Sequence, residues 1–492
     1  MQPVEKPWSV LASRPALSAY GVLALALALE LVPGAQRLRV LSRPPEPDSS
    51  VARSALPEAT ATRVGEAELK TESEGSAALA PLALAPAAQQ AARAEPEPKV
   101  PIVDASGKAL HKFYRALQRT QSKQTNATTR IAHFGDSIVA SDYVSGTLRR
   151  RFQEAFGDAG HGFSLIANAW PAYFHSDVER YATAGWKVSR VVGPLAEDGL
   201  YGLGCVSFKA EKNALARFGT TSKGDFGRAV SRFEIFYLEE PSGGAFQISV
   251  DGQVREVVDT HGPSKASRTR VIQVPDGPHE LEILTKQGTS RLFGVVMERD
   301  AAGVVLDAIG IQGARIRFLD KQEDAHYAEQ LKLRNFDLLV YEFGANESAD
   351  GFLYPMPEYH DTMKQVIAQG QAALPESSCL VIGAMDRAVQ KGDELIGIRV
   401  LPFLIEEQRK VAAELGCGFF DTYTAMGGRG SMAKWVKRGL GQADLTHPTA
   451  VGSDVIGTWI YRALWRGYQD FLSTQKPSAP SSSADSRSPS SR

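Results

Sequence analysis

The sequence predicts an α/β fold in which a parallel sheet, covered by helices on both faces, forms three layers and carries an inserted all-β sandwich. Two observations support this. Short apolar runs of strand type alternate with amphipathic helical segments over much of the chain. One central interval abandons that alternation and strings strands together.

The alternating part supplies strand candidates at Arg130–Phe134, Phe336–Phe343, Cys379–Gly383 and Gly418–Asp421. Helix candidates fall at Asp142–Phe156, Glu358–Ala373, Val400–Leu415 and Ala450–Leu472. Short buried strands separated by helices indicate a sheet covered on both faces. The interrupting interval, residues 190–303, contains Phe233–Leu238, Ala245–Gly252, Arg270–Val274, His279–Leu284 and Arg291–Met297, with Asp251-Gly252 and Asp276-Gly277 as turns. Gly199, Gly202 and Gly204 precede strands rather than opening a helix, which argues against a nucleotide loop.

Composition limits the function classes. The 492 residues are 43% hydrophobic, enough for more than one core. Lys plus Arg total 55 against 56 Asp plus Glu, which argues against a general nucleic-acid binder. Arg149, Arg150 and Arg151 form a short basic run whose side chains, on a helix, point in different directions and are expected to be solvated. Three cysteines, Cys205, Cys379 and Cys417, cannot all pair internally, and buried free thiols are the plain reading. No C-x-x-C or H-E-x-x-H spacing is present, so neither a metal nor another cofactor is expected.

Both ends read as lying outside the fold. Lys6 and Arg14 precede an apolar run from Ala16 to Leu29, and Arg37 and Arg39 follow it. The run is short for a spanning helix, which needs about 20 residues, and suits a signal peptide or a signal anchor. The resulting division is 1–15 as a cytoplasmic or signal n-region, 16–36 as signal peptide or anchor, and 37–105 as an Ala/Pro/Glu-rich disordered linker. The catalytic body then covers 106–189 and 304–475, interrupted by the β module at 190–303, with a Ser/Pro-rich tail at 476–492. The expected location is the periplasm or cell envelope, either free or tethered to the inner membrane.

Three segments carry chemistry. The run Arg130–Phe134 ends in Gly135-Asp136-Ser137, and a helical pattern follows at once. A serine at a strand-to-helix turn has an accessible hydroxyl and an N–H belonging to a helix start, both suited to attack on a carbonyl. A second apolar strand ends in Gly344-Ala345-Asn346, whose side-chain amide can donate to an oxyanion. Third, Asp444 and His447 lie three residues apart, close enough for the carboxylate to orient the imidazole. Taken singly, Ser137 and Asp444 could be caps, Gly313 a turn glycine, Asn346 an Asx-turn residue and His447 a loop histidine. His133, opposite in facing to Phe134, reads as a packed, hydrogen-bonded histidine. Asp142 reads as a cap or dipole partner, and Trp170, Tyr173 and Trp186 as core aromatics.

In order, these segments resemble the four blocks of the SGNH, or GDSL-type, hydrolases. Gly135-Asp136-Ser137 corresponds to the nucleophile block, Ile309–Ala314 to the glycine block, Gly344-Ala345-Asn346 to the asparagine block and Asp444-x-x-His447 to the last. Ile138 stands where leucine is usual, and Glu347 where many members have aspartate. The resemblance implies an SGNH-type three-layer sandwich plus a jelly-roll-like insertion. It implies Ser137 as nucleophile, His447 as base and Asp444 as its partner, with the Ser137 and Gly313 N–H groups and the Asn346 amide as oxyanion donors. A sandwich inserted after the first block is similar to bacterial peptidoglycan O-acetylesterases. That implies an exported serine esterase whose partner is an acetylated polysaccharide, peptidoglycan or another envelope polymer, with the β module a candidate carbohydrate binder. A polysaccharide O-acetyltransferase, a lipid or small-ester esterase and a non-catalytic wall-binding protein stay open as alternatives, as does the oligomeric state.

Overall fold

The computed structural model describes residues 100–124, 127–171 and 173–475. The readings of 1–15 and 16–36, the linker up to residue 99 and the tail at 476–492 lie outside the described residues. Among the described residues, no helix is long and apolar enough to cross a membrane.

Five parallel strands form the central sheet: Thr128–Gly135, Gly303–Gly310, Leu338–Glu342, Ser378–Ile382 and Gly418–Phe420. In the order of the chain they run second, first, third, fourth, fifth across the sheet. The order reverses between the first and third strands, so their C-terminal ends flank a crevice where such folds bind ligands. Gly303–Gly310, which opens the second part of the body, is a strand that is not among the candidates from the sequence.

Alternation along each strand sorts the side chains into two layers. Ile131, Leu338, Val340, Leu380 and Ile382 face a core shared with the helices His111–Gln121, Tyr143–Phe156 and Ala450–Gln475. Ala132, Phe134, Leu339, Tyr341 and Val381 face the other way, toward Asp324–Arg334, Met356–Ala373 and Leu401–Glu414. This second core continues without a break into the β module, through Phe163, Tyr201, Phe233 and Phe293 among others.

The module contains two antiparallel sheets. One has the order Ala266–Gly277, Val230–Glu239, Ser290–Glu298, Val206–Ala210, Lys187–Arg190, and Gly160–Leu165 also pairs with its Ser290–Glu298 strand. The other has the order Val178–Ala182, Leu215–Thr220, Glu280–Gln287, Ala245–Val250, Gln253–Asp259. Strands at Gly160–Leu165, Val178–Ala182 and Lys187–Arg190 thus join these sheets from the N-terminal side of residue 190.

A buried ionic cluster links the module to the α/β body. Glu298, 3% exposed, accepts from Arg130 (2.9 Å), Arg232 (2.9 Å) and Arg334 (2.7 Å), and Arg334 also binds Asp307 at 2.8 and 2.9 Å. Burial raises the Glu298 carboxyl, but the Arg334 and Arg130 guanidiniums outweigh it and hold the group well below the usual carboxylate range.

Three local expectations are corrected. Cys379 and Cys417 form a disulfide and only Cys205 is free, because the pairing of Leu380 with Gly418 on adjacent strands brings their Cα atoms to 4.6 Å. Arg149 is not solvated; it is buried against the Asp142 carboxylate at 2.7 and 3.1 Å. Of the two readings of Asp142 the cap fails: it stands at the N-terminus of Tyr143–Phe156 but makes no cap hydrogen bond, since its carboxylate is taken by Arg149 and the Ser176 N–H. Trp170, Tyr173 and Trp186 are buried in the larger core. His133 is buried, with Nδ1 at 2.9 Å from Ser145 Oγ and Nε2 at 2.9 Å from Glu342.

Candidate active site

The crevice at the sheet's C-terminal edge gathers residues from four loops. Ser137 opens a short helix, Ser137–Ala140, directly after the first strand. Asp136 Oδ1 caps that helix by accepting the Ile138 N–H at 3.0 Å. The Ser137 N–H is therefore a first-turn donor with no acceptor inside its own helix. This turn packs tightly on the neighbouring strand: a Cβ on Gly310 would meet Ala140 N at 1.9 Å. Only glycine allows the serine helix to seat there.

His447 lies across from Ser137, with Nε2 2.7 Å from Ser137 Oγ. Its Nδ1 is 2.5 Å from Asp444 Oδ2. A tight turn makes this possible. Asp444 Oδ1 accepts the Thr446 and His447 N–H groups, each at 3.0 Å, and Leu445 takes φ +60. A non-glycine residue in that region costs roughly 1–2 kcal/mol, offset here by the three hydrogen bonds to one carboxylate. Partial burial pushes the Asp444 carboxyl up, but the His447 ring and the two backbone N–H groups outweigh it and hold it at about 2. Asp444 is thus ionised at neutral pH, and a carboxylate at Nδ1 keeps the proton there and leaves Nε2 as the acceptor toward Ser137.

Gly313 follows the second strand at φ +77, where a Cβ would meet nothing within 4 Å. Its conformation, not crowding, favours glycine. Asn346 begins the turn after the third strand, within the helix Ala345–Ala349. Its Nδ2 donates to Ala314 O at 2.9 Å and approaches Asp136 Oδ2 at 3.5 Å. The adjacent Glu347 accepts the Ile316 N–H at 2.8 Å, and Arg315 forms a two-point pair with Asp350 at 2.5 and 2.6 Å. Three links therefore hold the Gly313 loop against the Asn346 helix.

Of the five residues singled out in the sequence, Gly313, Asp444 and His447 occupy loops at this edge, and Ser137 and Asn346 lie in the short helices that follow the first and third strands. Sequence reasoning missed the polar groups beneath them. Asp136 is 1% exposed, and burial pushes its carboxyl up to about 6, opposed by the Ile138 N–H. Glu347, also 1% exposed, is pushed by burial up to about 7. Arg387, on the loop after the fourth strand, touches both the Asn346 helix and the His447 turn. The available signal was position, because Asp386-Arg387 closely follows an apolar strand, as Ser137 and Asn346 do.

No protein-family model matches the chain, and no curated protein matches it. A solved structure of a peptidoglycan O-acetylesterase is similar over 75% of this chain and 99% of its own, at 21% identity and a TM-score of 0.65. A family two carbohydrate esterase from Cellvibrio japonicus matches over 60% of this chain and 98% of its own, at 11% identity and a TM-score of 0.25. An acetylxylan esterase from Geobacillus stearothermophilus matches over 34% and 73%, at 18% identity and a TM-score of 0.25. The last two scores are too low to bear on the fold. With its five-stranded parallel sheet, its crevice loops and the first of these likenesses, the chain has the SGNH-hydrolase fold with an all-β module inserted into it.

Proposed function

We propose that this protein is a serine esterase that removes O-acetyl groups from peptidoglycan or another envelope polysaccharide. One observation carries the reading: the continuous line from Asp444 through His447 to Ser137, at 2.5 and 2.7 Å. In this reading Ser137 Oγ attacks the acetyl carbonyl while His447 Nε2 takes its proton. Asp444 stays ionised and stabilises the imidazolium. The Ser137 and Gly313 N–H groups and the Asn346 amide receive the oxyanion. Collapse of the tetrahedral intermediate breaks the ester bond, and His447 returns the proton to the departing sugar oxygen. Water, activated by His447, then releases acetate from Ser137.

Peptidoglycan as the polymer is supported by the likeness in fold to the peptidoglycan O-acetylesterase, which extends over nearly the whole of that chain. Export is supported by the Ala16–Leu29 run and by the Cys379–Cys417 disulfide, a bond that persists in oxidising compartments.

The test is acetate release from acetylated peptidoglycan, beside acetylated xylan and p-nitrophenyl esters of increasing chain length, for the wild type and Ser137→Ala. Peptidoglycan deacetylation lost in a normally melting variant is the expected result. Wild-type turnover in Ser137→Ala removes the nucleophile assignment. Preference for long acyl chains overturns the polysaccharide reading in favour of a lipid esterase. Acetyl transfer to added saccharide in place of acetate release overturns hydrolysis. A protein protected from protease in spheroplasts and exposed only after lysis overturns export.

A further inference from the structure

The His447 turn and the Asn346 helix belong to segments about a hundred residues apart in sequence, yet they must present the imidazole and the amide to one point above Ser137. The links described above join the Gly313 loop to the Asn346 helix; none of them reaches the His447 turn. Arg387 makes that connection. Its Nη1 donates to Ala345 O at 2.5 Å and to Ser348 Oγ at 2.7 Å, on the helix that carries Asn346. Its Nε and Nη2 donate to Thr446 Oγ1 at 3.2 and 3.1 Å. Thr446 lies between Asp444 and His447, and its N–H binds the Asp444 carboxylate. The next residue pins the same turn, with Ala388 N–H donating to Leu445 O at 3.0 Å.

Among the described residues, no carboxylate forms an ion pair with Arg387, although the guanidinium is partly buried and feels the charges of Asp136 and Asp444. Its donors go to neutral oxygens on two different loops. A planar guanidinium with a fixed fork of five N–H donors can bridge two such sites at set angles; a lysine ammonium reaches them only as a point charge. A side chain serving simply to balance charge would face Asp136 or Asp444 directly.

We propose that Arg387 is a positioning residue that clamps the Asn346 helix to the Asp444–His447 turn and so sets the oxyanion donor and the general base in register over Ser137. The inference rests on the esterase reading of the site. Arg387 touches no reacting atom; it acts through Thr446 on one side and through Ala345 and Ser348 on the other.

The experiment is steady-state kinetics on p-nitrophenyl acetate with full-length protein. Variants are Arg387→Ala, Arg387→Lys, Thr446→Val, the double variant Arg387→Ala/Thr446→Val, and Ser137→Ala as the reference for the site itself. Arg387→Ala is expected to lower kcat on the order of 100-fold, the scale of a misplacement of about 1 Å, with KM within about threefold. Arg387→Lys should recover part of the loss. Thr446→Val, which removes one hydroxyl, should lower kcat, and the double variant should be no worse than Arg387→Ala, since both changes break one link. If Ser137→Ala is inactive while Arg387→Ala and Thr446→Val turn over like wild type, the clamp is wrong and the esterase reading stands. Losses that add in the double variant overturn the link through Thr446. If Arg387→Ala fails to fold, Thr446→Val decides: lowered kcat at unchanged KM supports the clamp, and wild-type kcat overturns it. An active Ser137→Ala refutes the site reading itself.

Discussion

Replacing Glu347 by glutamine should remove a defined part of the pH dependence of stability. The side chain is 1% exposed; Oε1 accepts the Ile316 N–H at 2.8 Å, and Oε2 has no hydrogen-bond partner among the described residues. Burial raises the carboxyl from 4.5 to about 7, partly opposed by the Ile316 N–H. The folded protein therefore keeps this proton up to about pH 7, whereas the unfolded chain gives it up near 4.5. Between those values the folded state binds more protons, so the contribution is complete below about pH 4.5 and is lost as pH rises through about 7. The rise corresponds to on the order of 3 kcal/mol. Glutamine keeps an Oε1 acceptor for Ile316, places an amide where the carboxyl proton sat, and does not titrate. Asp136, raised to about 6, is present in both proteins and its charge adds to the rise at Glu347, whereas Asp444, held at about 2, lies below the window. Urea unfolding of both proteins at pH 4, 6 and 8 should show the variant gaining on the wild type by on the order of 3 kcal/mol from pH 4 to pH 8. Parallel profiles, or a gain toward acid, would refute a carboxyl held protonated by burial.

Three further outcomes are expected. Asn346→Ala should lower kcat by about 10²–10³, or roughly 2.7–4 kcal/mol, with little change in KM, as measured on a small acetyl ester; unchanged kcat would take the amide out of the oxyanion site. Glu298→Ala should destabilise the protein by about 3–5 kcal/mol in urea unfolding, because Arg334 and Arg130 lose a buried partner, whereas a loss under 1 kcal/mol would mean that solvent reaches the cluster. Deleting residues 190–303 should yield no folded protein, since it strips partners from Gly160–Leu165 and Val178–Ala182 and uncovers the core shared with Phe134 and Tyr341. A cooperative melt of the truncated chain would show that the α/β body folds without the module. Testing its role in polymer binding therefore calls for surface substitutions.

Local pattern alone determined much of this protein. Apolar runs ending in glycine marked the first, third and fourth sheet strands, because a buried parallel strand needs apolar side chains on both faces and a sharp exit at its end. Helix limits fell within about three residues of those observed for Tyr143–Phe156, Met356–Ala373, Leu401–Glu414 and Ala450–Gln475, because amphipathic period is a local property. The order of the blocks also singled out Ser137, Gly313, Asn346, Asp444 and His447, since short motifs at strand ends keep their identity in one dimension. What remained depended on which segments become neighbours. Cys379 and Cys417 pair only because strand order sets them side by side. Arg149 can be buried because folding places the Asp142 carboxylate and the Ser176 carbonyl against its guanidinium. The strands before residue 190 look like loop in sequence because they are short and polar, and their hydrogen bonds come from partners 16 or more residues away. Arg387 carries no motif, and Asp136 and Glu347, although they lie in or beside the blocks, show no role there. Their roles follow from what packs around them, and burial and long-range hydrogen bonds exist only once the chain has folded.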